Sequence, residues 1–409
     1  MAHTLLGHMA LGYQLLWNQQ RQLCAVQLVI DPQGQGVPDI APLLVELKNT
    51  WPNHAPTLLL SSTSTALLAV LLDQTPSDGP WIEVSEAFLT EPDIIMRVRQ
   101  ASQRGLKLVW RGESGARPGA TRGAWFHTTM LTLSTQETLM GLHASLKKQG
   151  AGTAALRSPV MAGQIYADIA SHVLTEHCLD EQGAWAVAGW PVDDVLHSYR
   201  HEKIQPDQRL IHQLLQAVGA NVSMEAIESI LCEEPLLVYR FLRFANSAAL
   251  GLRSEISSLR QGLLVLGLVT LKNWLQEQLP HASSSLNLQP VRSAMVLRAR
   301  VMSQLFDAGD NDELRRNMYL CGLLSQIDLF LNEPIEAALQ RIPHGENISA
   351  ALLHGNGSYA PFLHMAIALE SGDPHAALRA CERYEFNLAD VNRTLLRTLA
   401  MPQPHPARK

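Results

Sequence analysis

Over the first 200 residues, short apolar runs alternate with stretches whose apolar residues recur every three or four positions. The runs Ala10–Trp17, Cys24–Ile30, Thr57–Ser61, Trp81–Ser85, Leu106–Trp110, Trp125–Leu131, Pro159–Ala162 and Ala184–Ala188 are bounded by Gly, Pro or polar clusters. That pattern predicts short strands buried on both faces. Helical spacing in Ile40–Leu47, Ser64–Leu72, Pro92–Ala101, Glu137–Lys147 and Ile165–Cys178 predicts helical crossovers between most of them. Only Asn18–Leu23 joins the first two runs, so these form an antiparallel hairpin. Eight strands with mostly helical crossovers predict a (β/α) barrel with a modified start.

After Arg200 the strand signals stop. Leu210, Ile211, Leu214, Leu215 and Val218 share one helical face, ending at Gly219. Ser223 is placed to cap the next helix and Pro235 to open another. Ser258–Gln261 and Asp310–Glu313 have capping-box spacing, and Asp373-Pro374 starts a helix by the same logic. The expected fold class is therefore α/β plus all-α, with a barrel over residues 1–200 and a helical bundle over 201–409.

Composition narrows the function classes. With 46% apolar and 17% charged residues, extended disorder is not expected. A net charge of −6 does not suit a protein that grips nucleic acid along its backbone. Five scattered cysteines without a CxxC pair suggest neither a disulfide framework nor a thiolate zinc site. The N-terminus has no basic signal-peptide region, and the longest apolar run, Gly262–Leu271, is far short of the roughly 20 residues of a membrane span. A cytoplasmic protein is expected. His172 and His177 do not share a helix face, and His197 and His201 have no third ligand, so no histidine metal site is expected. HExxH, GxSxG and GxxxxGK[ST] are all missing.

The helical half carries Phe241-Leu-Arg-Phe-Ala-Asn-Ser-Ala-Ala-Leu-Gly251, Ile256-Ser-Ser-Leu-Arg-Gln-Gly-Leu-Leu-Val-Leu-Gly267 and Met318-Tyr-Leu-Cys-Gly-Leu-Leu324. These segments resemble the HDOD (HD-related output) domain of bacterial signalling proteins, with Asn246, Ser247 and Gly267 on its motif, over roughly Pro206–Met401. In the first half, Gly12–Asn18, Ala25–Asp31, Trp81–Glu86 and Gln182-Gly183 with Trp190-Pro191 resemble, in order, four landmarks of the EAL domain. The resemblance implies a modified TIM barrel with an antiparallel first strand, which agrees with the strand count.

The same resemblance bears on chemistry. EAL domains hydrolyse cyclic di-GMP with two divalent metals held by carboxylates at strand ends. Here the signature glutamate position is Gln27, the aspartate pair falls on Trp110 and Arg111, the strand asparagine falls near Ser61-Ser62, and the later acidic segment falls on Ala162–Tyr166. Glu83 is the one ligand position that keeps its carboxylate. In the helical half no His-Asp dipeptide occurs, and Ser325-Gln326 stand where the metal-binding pair of HD phosphohydrolases would be. Asn246-Ser247 has the turn chemistry of a helix stop.

The expectation is a degenerate EAL–HDOD protein with no catalytic residue, no metal and no cofactor: not an enzyme but a signalling adaptor acting on other signalling proteins. A homodimer is among the expected assemblies. The alternatives are a cyclic di-GMP receptor using Trp110 and Arg111, or a residual cyclic di-GMP phosphodiesterase.

Overall fold

The computed structural model describes residues 6–34, 40–147, 157–250, 255–306 and 311–401. The chain divides into two compact units, Met1–Asp194 together with Ile367–Lys409, and Val195–Ala366.

In the first unit, β1 (Met9–Trp17), β2 (Leu23–Pro32), β3 (Thr57–Ser62), β4 (Trp81–Ser85), β5 (Leu108–Glu113), β6 (Thr128–Thr132), β7 (Ile165–Ala167) and β8 (Ala186–Ala188) close into a barrel in sequence order. β1 runs antiparallel to both neighbours and the remaining pairs are parallel. The hairpin turns where Arg21 adopts left-handed backbone (φ 56°) and its guanidinium grips Asp180 by two bonds of 2.5 and 2.7 Å. α1 (Ala41–Thr50), α2 (Thr65–Gln74), α3 (Pro92–Gln103) and α4 (Thr135–Lys147) supply crossovers where the spacing predicts them. Because successive strand residues face opposite sides, the apolar runs feed two layers. Leu16, Ala25, Leu59, Val109, Met130 and Ile165 fill the barrel interior, while Trp110, Leu131, Tyr166, Leu174 and Val187 form a separate cluster.

One strand and one helix expectation need correction. The seventh strand is Ile165–Ala167, and Pro159–Ala162 lies outside any strand. Val160 is buried in the cluster around Trp110, and the Met161 amide donates to the Tyr166 hydroxyl at 2.7 Å. The apolar character there serves loop packing, not a ladder. The helix expected over Ile165–Cys178 starts only at His172, because the ladder takes the first three residues and Asp168 turns left-handed (φ 60°) behind them.

The second unit is helical. α5 (Gln208–Gly219), α6 (Met224–Leu231), α7 (Pro235–Ala245), α8 (Leu259–Gln278), α9 (Gln289–Leu305), α10 (Asp312–Leu324) and α11 (Glu346–His354) are its longer elements. Ser223 and Ser258 cap α6 and α8 as their spacing predicts. α10 is capped by Asn311, whereas Asp310 lies outside the described residues. α8 is broken at Gly267, whose φ of 69° is open to glycine and costly for other residues. α9 and α10 approach so closely at Gly322 that a Cβ there would stand 2.6 Å from Ala299 Cα. Inside the unit, buried Glu234 receives the Leu237 amide at the start of α7 and pairs with buried Arg292 at 2.7 Å.

The expected boundary at residues 200/201 fails at the far end of the chain. α12 (Ala360–Glu370) straddles the division, and α13 (Pro374–Tyr384) and α14 (Leu388–Ala400) belong to the barrel's unit. Their strongly amphipathic patterns find a partner face on β1 and the segment before it. Asn392 Nδ2 donates to the carbonyls of Leu6 (2.7 Å) and Met9 (2.6 Å), and Gly12 lets the Gly372 backbone reach β1.

Candidate site at the barrel mouth

Four side chains meet where β2 to β5 approach their C-terminal ends. Gln27 Nε2 donates to Ser61 Oγ (2.9 Å) and to Glu83 Oε2 (2.6 Å), and Ser61 Oγ donates to the same carboxylate oxygen at 2.8 Å. Arg111 Nη1 reaches Glu83 Oε1 at 3.4 Å. Gln27, Ser61 and Glu83 are buried, whereas Arg111 keeps about a third of its side chain exposed (34%). The opposite oxygen of the amide, Gln27 Oε1, is buried without a hydrogen-bond partner.

Burial pushes the Glu83 carboxyl above its usual range, and the Arg111 cation with the hydroxyl and amide bonds only partly oppose this. The structure thus brings Gln27, Glu83 and Arg111 together, with Ser61 completing the cluster. Trp110 requires a correction as a nucleotide-binding candidate. It is the strand neighbour of Arg111, so it points to the other face, where it is 1% exposed and packed among Leu131, Val160 and Tyr166.

Sequence reasoning missed Asp168. Once β7 is placed at Ile165–Ala167, Asp168 is the carboxylate at its C-terminal end, accepting a bond from Thr132 Oγ1 at 3.1 Å. The signal was an acidic residue directly after an apolar triplet, hidden by the misplaced strand. The segment Ala162–Tyr166, matched earlier to the acidic motif, lies mostly before this strand.

A pair of divalent metals needs several anionic oxygens free to converge. Glu83 spends its carboxylate on three protein donors, one of them a cation, and Gln27 contributes no charge. Among the described residues no three His, Cys, Asp or Glu side chains gather as a metal group. The donor set at the mouth does not fit a two-metal centre.

In the helical unit the motif residues are local fasteners. Asn246 Nδ2 donates to the carbonyls of Leu242 (2.8 Å) and Ile256 (2.9 Å), while its Oδ1 accepts the Ile256 amide (2.8 Å). Ser247 follows it in the turn, with its amide on Phe244 O at 3.0 Å. Ser325 Oγ accepts from Arg298 (3.1 Å) and donates to Gly322 O (2.7 Å), and Gln326 opens the short helix Ile327–Leu331. Ser325 and Gln326 contribute no carboxylate or imidazole to this region.

The chain thus combines a closed eight-stranded barrel, antiparallel at its first strand, with a helical unit. Residues 205–354, in the helical unit, match the HDOD domain. Over 194 residues the chain is 24% identical to a Vibrio cholerae protein named cyclic di-GMP phosphodiesterase CdgJ, covering 47% of this chain and 45% of that one. It is 26% identical over 141 residues to YuxH of Bacillus subtilis, covering 34% of each chain. The matches thus span less than half the length of these curated relatives. Among solved structures, the MmoQ response regulator of Methylococcus capsulatus has 20% identity and a TM-score of 0.27, covering 49% of this chain and 72% of that one. The cyclic di-GMP complex of Klebsiella pneumoniae BlrP1 has 11% identity and a TM-score of 0.29, covering 45% and 55%.

The expectation that the chain is not an enzyme is corrected by its similarity to a protein named as a phosphodiesterase. Among the described residues, no helix is long and apolar enough to cross a membrane.

Proposed function

We propose that this chain is a bacterial signal-transduction protein linked to cyclic di-GMP, working chiefly through contacts with other signalling proteins. The observation that carries the reading is the closed polar network at the mouth. Gln27, Ser61 and Arg111 consume the Glu83 carboxylate in an otherwise intact barrel, and an HDOD domain follows. A well-packed framework whose buried barrel carboxylate is tied up internally supports binding surfaces as its working part.

A second reading is turnover of cyclic di-GMP. It is favoured by the relative named for that activity, and by carboxylates at Glu83 within β4 and Asp168 just after β7. Calorimetric titration with cyclic di-GMP in the presence of Mg²⁺ or Mn²⁺, followed by chromatography for the linear dinucleotide, separates the two. Linear product that forms with the parent chain and disappears in Glu83→Ala would overturn interaction as the chief role in favour of turnover.

A further inference from the structure

The helical unit contains a cavity of about 770 Å³, within the roughly 300–1,000 Å³ range of small-molecule sites. Its walls come from the segment after residue 199, one face of α7, the end of α8 and the turn after the helix Ile327–Leu331. Arg200, Lys203, Arg240, Arg243 and Arg341 all line it. The lining carboxylates are Glu202 and Glu333, and the latter is held by Arg341. In a chain of net charge −6, this is a concentration of positive charge against the average.

The four remaining cations have no carboxylate partner among the described residues. Arg240 spends its guanidinium on neutral acceptors, Gln205 Oε1 at 2.8 Å and Gln278 Oε1 at 3.2 Å. Arg200 donates to a backbone carbonyl of its own turn, and Arg243 lies 5.9 Å from the Tyr239 ring centroid. Arg240 and Arg243 are three residues apart on α7, so they share one face with Phe244 and Ser247. Ser247 Oγ is buried and has no hydrogen-bond partner. Phe244 stacks on Trp274 with centroids 5.6 Å apart, giving the cleft an aromatic wall. The lining cations outnumber Glu202 and Glu333; burial, and after it Arg243, disfavours the charge of Arg240, Glu234 offsets this only in part, and a bound polyanion relieves the repulsion.

We propose that this cleft binds a small phosphorylated ligand of nucleotide size, with Arg200, Lys203, Arg240 and Arg243 on its phosphates and the Phe244 wall beside its organic part. Guanidinium groups suit phosphate because their donors match two oxygens at once. The site is independent of the barrel mouth, so its test can fail without touching the proposed signalling role.

The experiment titrates the full chain at low salt with inorganic pyrophosphate and, separately, with cyclic di-GMP. Arg243→Gln is the first variant, because Arg243 is exposed and donates no hydrogen bond to the fold among the described residues. Arg111→Gln is the control at the barrel mouth. The expected result is binding of pyrophosphate that weakens with added NaCl, falls at least about tenfold in Arg243→Gln and persists in Arg111→Gln. Tighter binding of cyclic di-GMP with the same mutational pattern would name the organic part. No binding of either probe up to about 1 mM, or binding unchanged by Arg243→Gln, overturns the proposal. Cyclic di-GMP binding lost in Arg111→Gln but kept in Arg243→Gln also overturns it, and assigns the nucleotide to the barrel.

Discussion

Replacing Glu83 by glutamine keeps the shape of the side chain and removes its charge, which isolates what that charge does in the barrel. The carboxylate's nearest cation is Arg111 at 3.4 Å. At an effective dielectric of about 20, a full charge pair at that separation attracts by ~5 kcal/mol before any cost is subtracted. Arg111 is a third exposed, so solvent reduces that gain. Against it stands the loss of hydration of a carboxylate that is only 8% exposed. The Glu83 carboxyl is pushed upward despite its cation and its donors, so desolvation wins. An acid whose proton is held more tightly in the folded than in the unfolded chain contributes stability at low pH. That contribution is lost as pH rises from the usual carboxylate range through the raised value. Glu83→Gln should therefore match the parent near pH 4 and exceed it at pH 8, by about 1–4 kcal/mol if it behaves like other buried charges replaced by neutral groups. Urea unfolding followed by tryptophan fluorescence at both pH values, with slopes checked for constancy, gives the comparison. A variant that is less stable than the parent at pH 8 by about 1 kcal/mol or more would refute the reasoning, because the charge would then be a net stabiliser.

Three further outcomes follow from the helical unit. Arg292→Met should destabilise it by about 3–5 kcal/mol by stranding buried Glu234, and adding Glu234→Gln should recover part of the loss in denaturant midpoints. Gly322→Ala forces a methyl group to within 2.6 Å of the α9 backbone; a cost of at least about 1–3 kcal/mol is expected in thermal unfolding. Asn246→Ala removes two bonds to Ile256 and one to the Leu242 carbonyl of α7, and should cost about 1–3 kcal/mol with faster amide exchange at Ile256.

Much of the barrel was legible because buried parallel strands leave short apolar runs that survive without any knowledge of partners. β4 coincides with its predicted range, and six others overlap theirs. β7 was lost because three residues are too few to show a period, and because the more apolar Pro159–Ala162 competes with them in sequence. Placing Gln27, Glu83 and Arg111 at one mouth needed only strand-end positions. Pairing Trp110 with Arg111 there contradicted the two-residue period of a strand, a conflict visible from sequence alone. The basic cleft was not legible as a whole. Arg240, Arg243 and Phe244 can be read as one helix face, but Arg200, Lys203 and Arg341 join them only through the packing of distant segments.

The return of the chain to the barrel changes how this protein is made. Residues Val195–Ala366 sit as an insert within the unit that contains the barrel. During synthesis the eight strands leave the ribosome before the insert, but α13 and α14, which cover β1 and its approach, follow only after the whole insert. Asn392 closes contacts with Leu6 and Met9 across more than 380 residues. For that interval the nascent barrel exposes an apolar face that its own chain cannot yet cover. The insert has the shorter wait, since its helices pack largely on one another and local contacts form fastest. A ribosome stalled between the insert and α13 would thus present a folded helical insert and an incompletely covered barrel, the state in which chaperone capture is most needed.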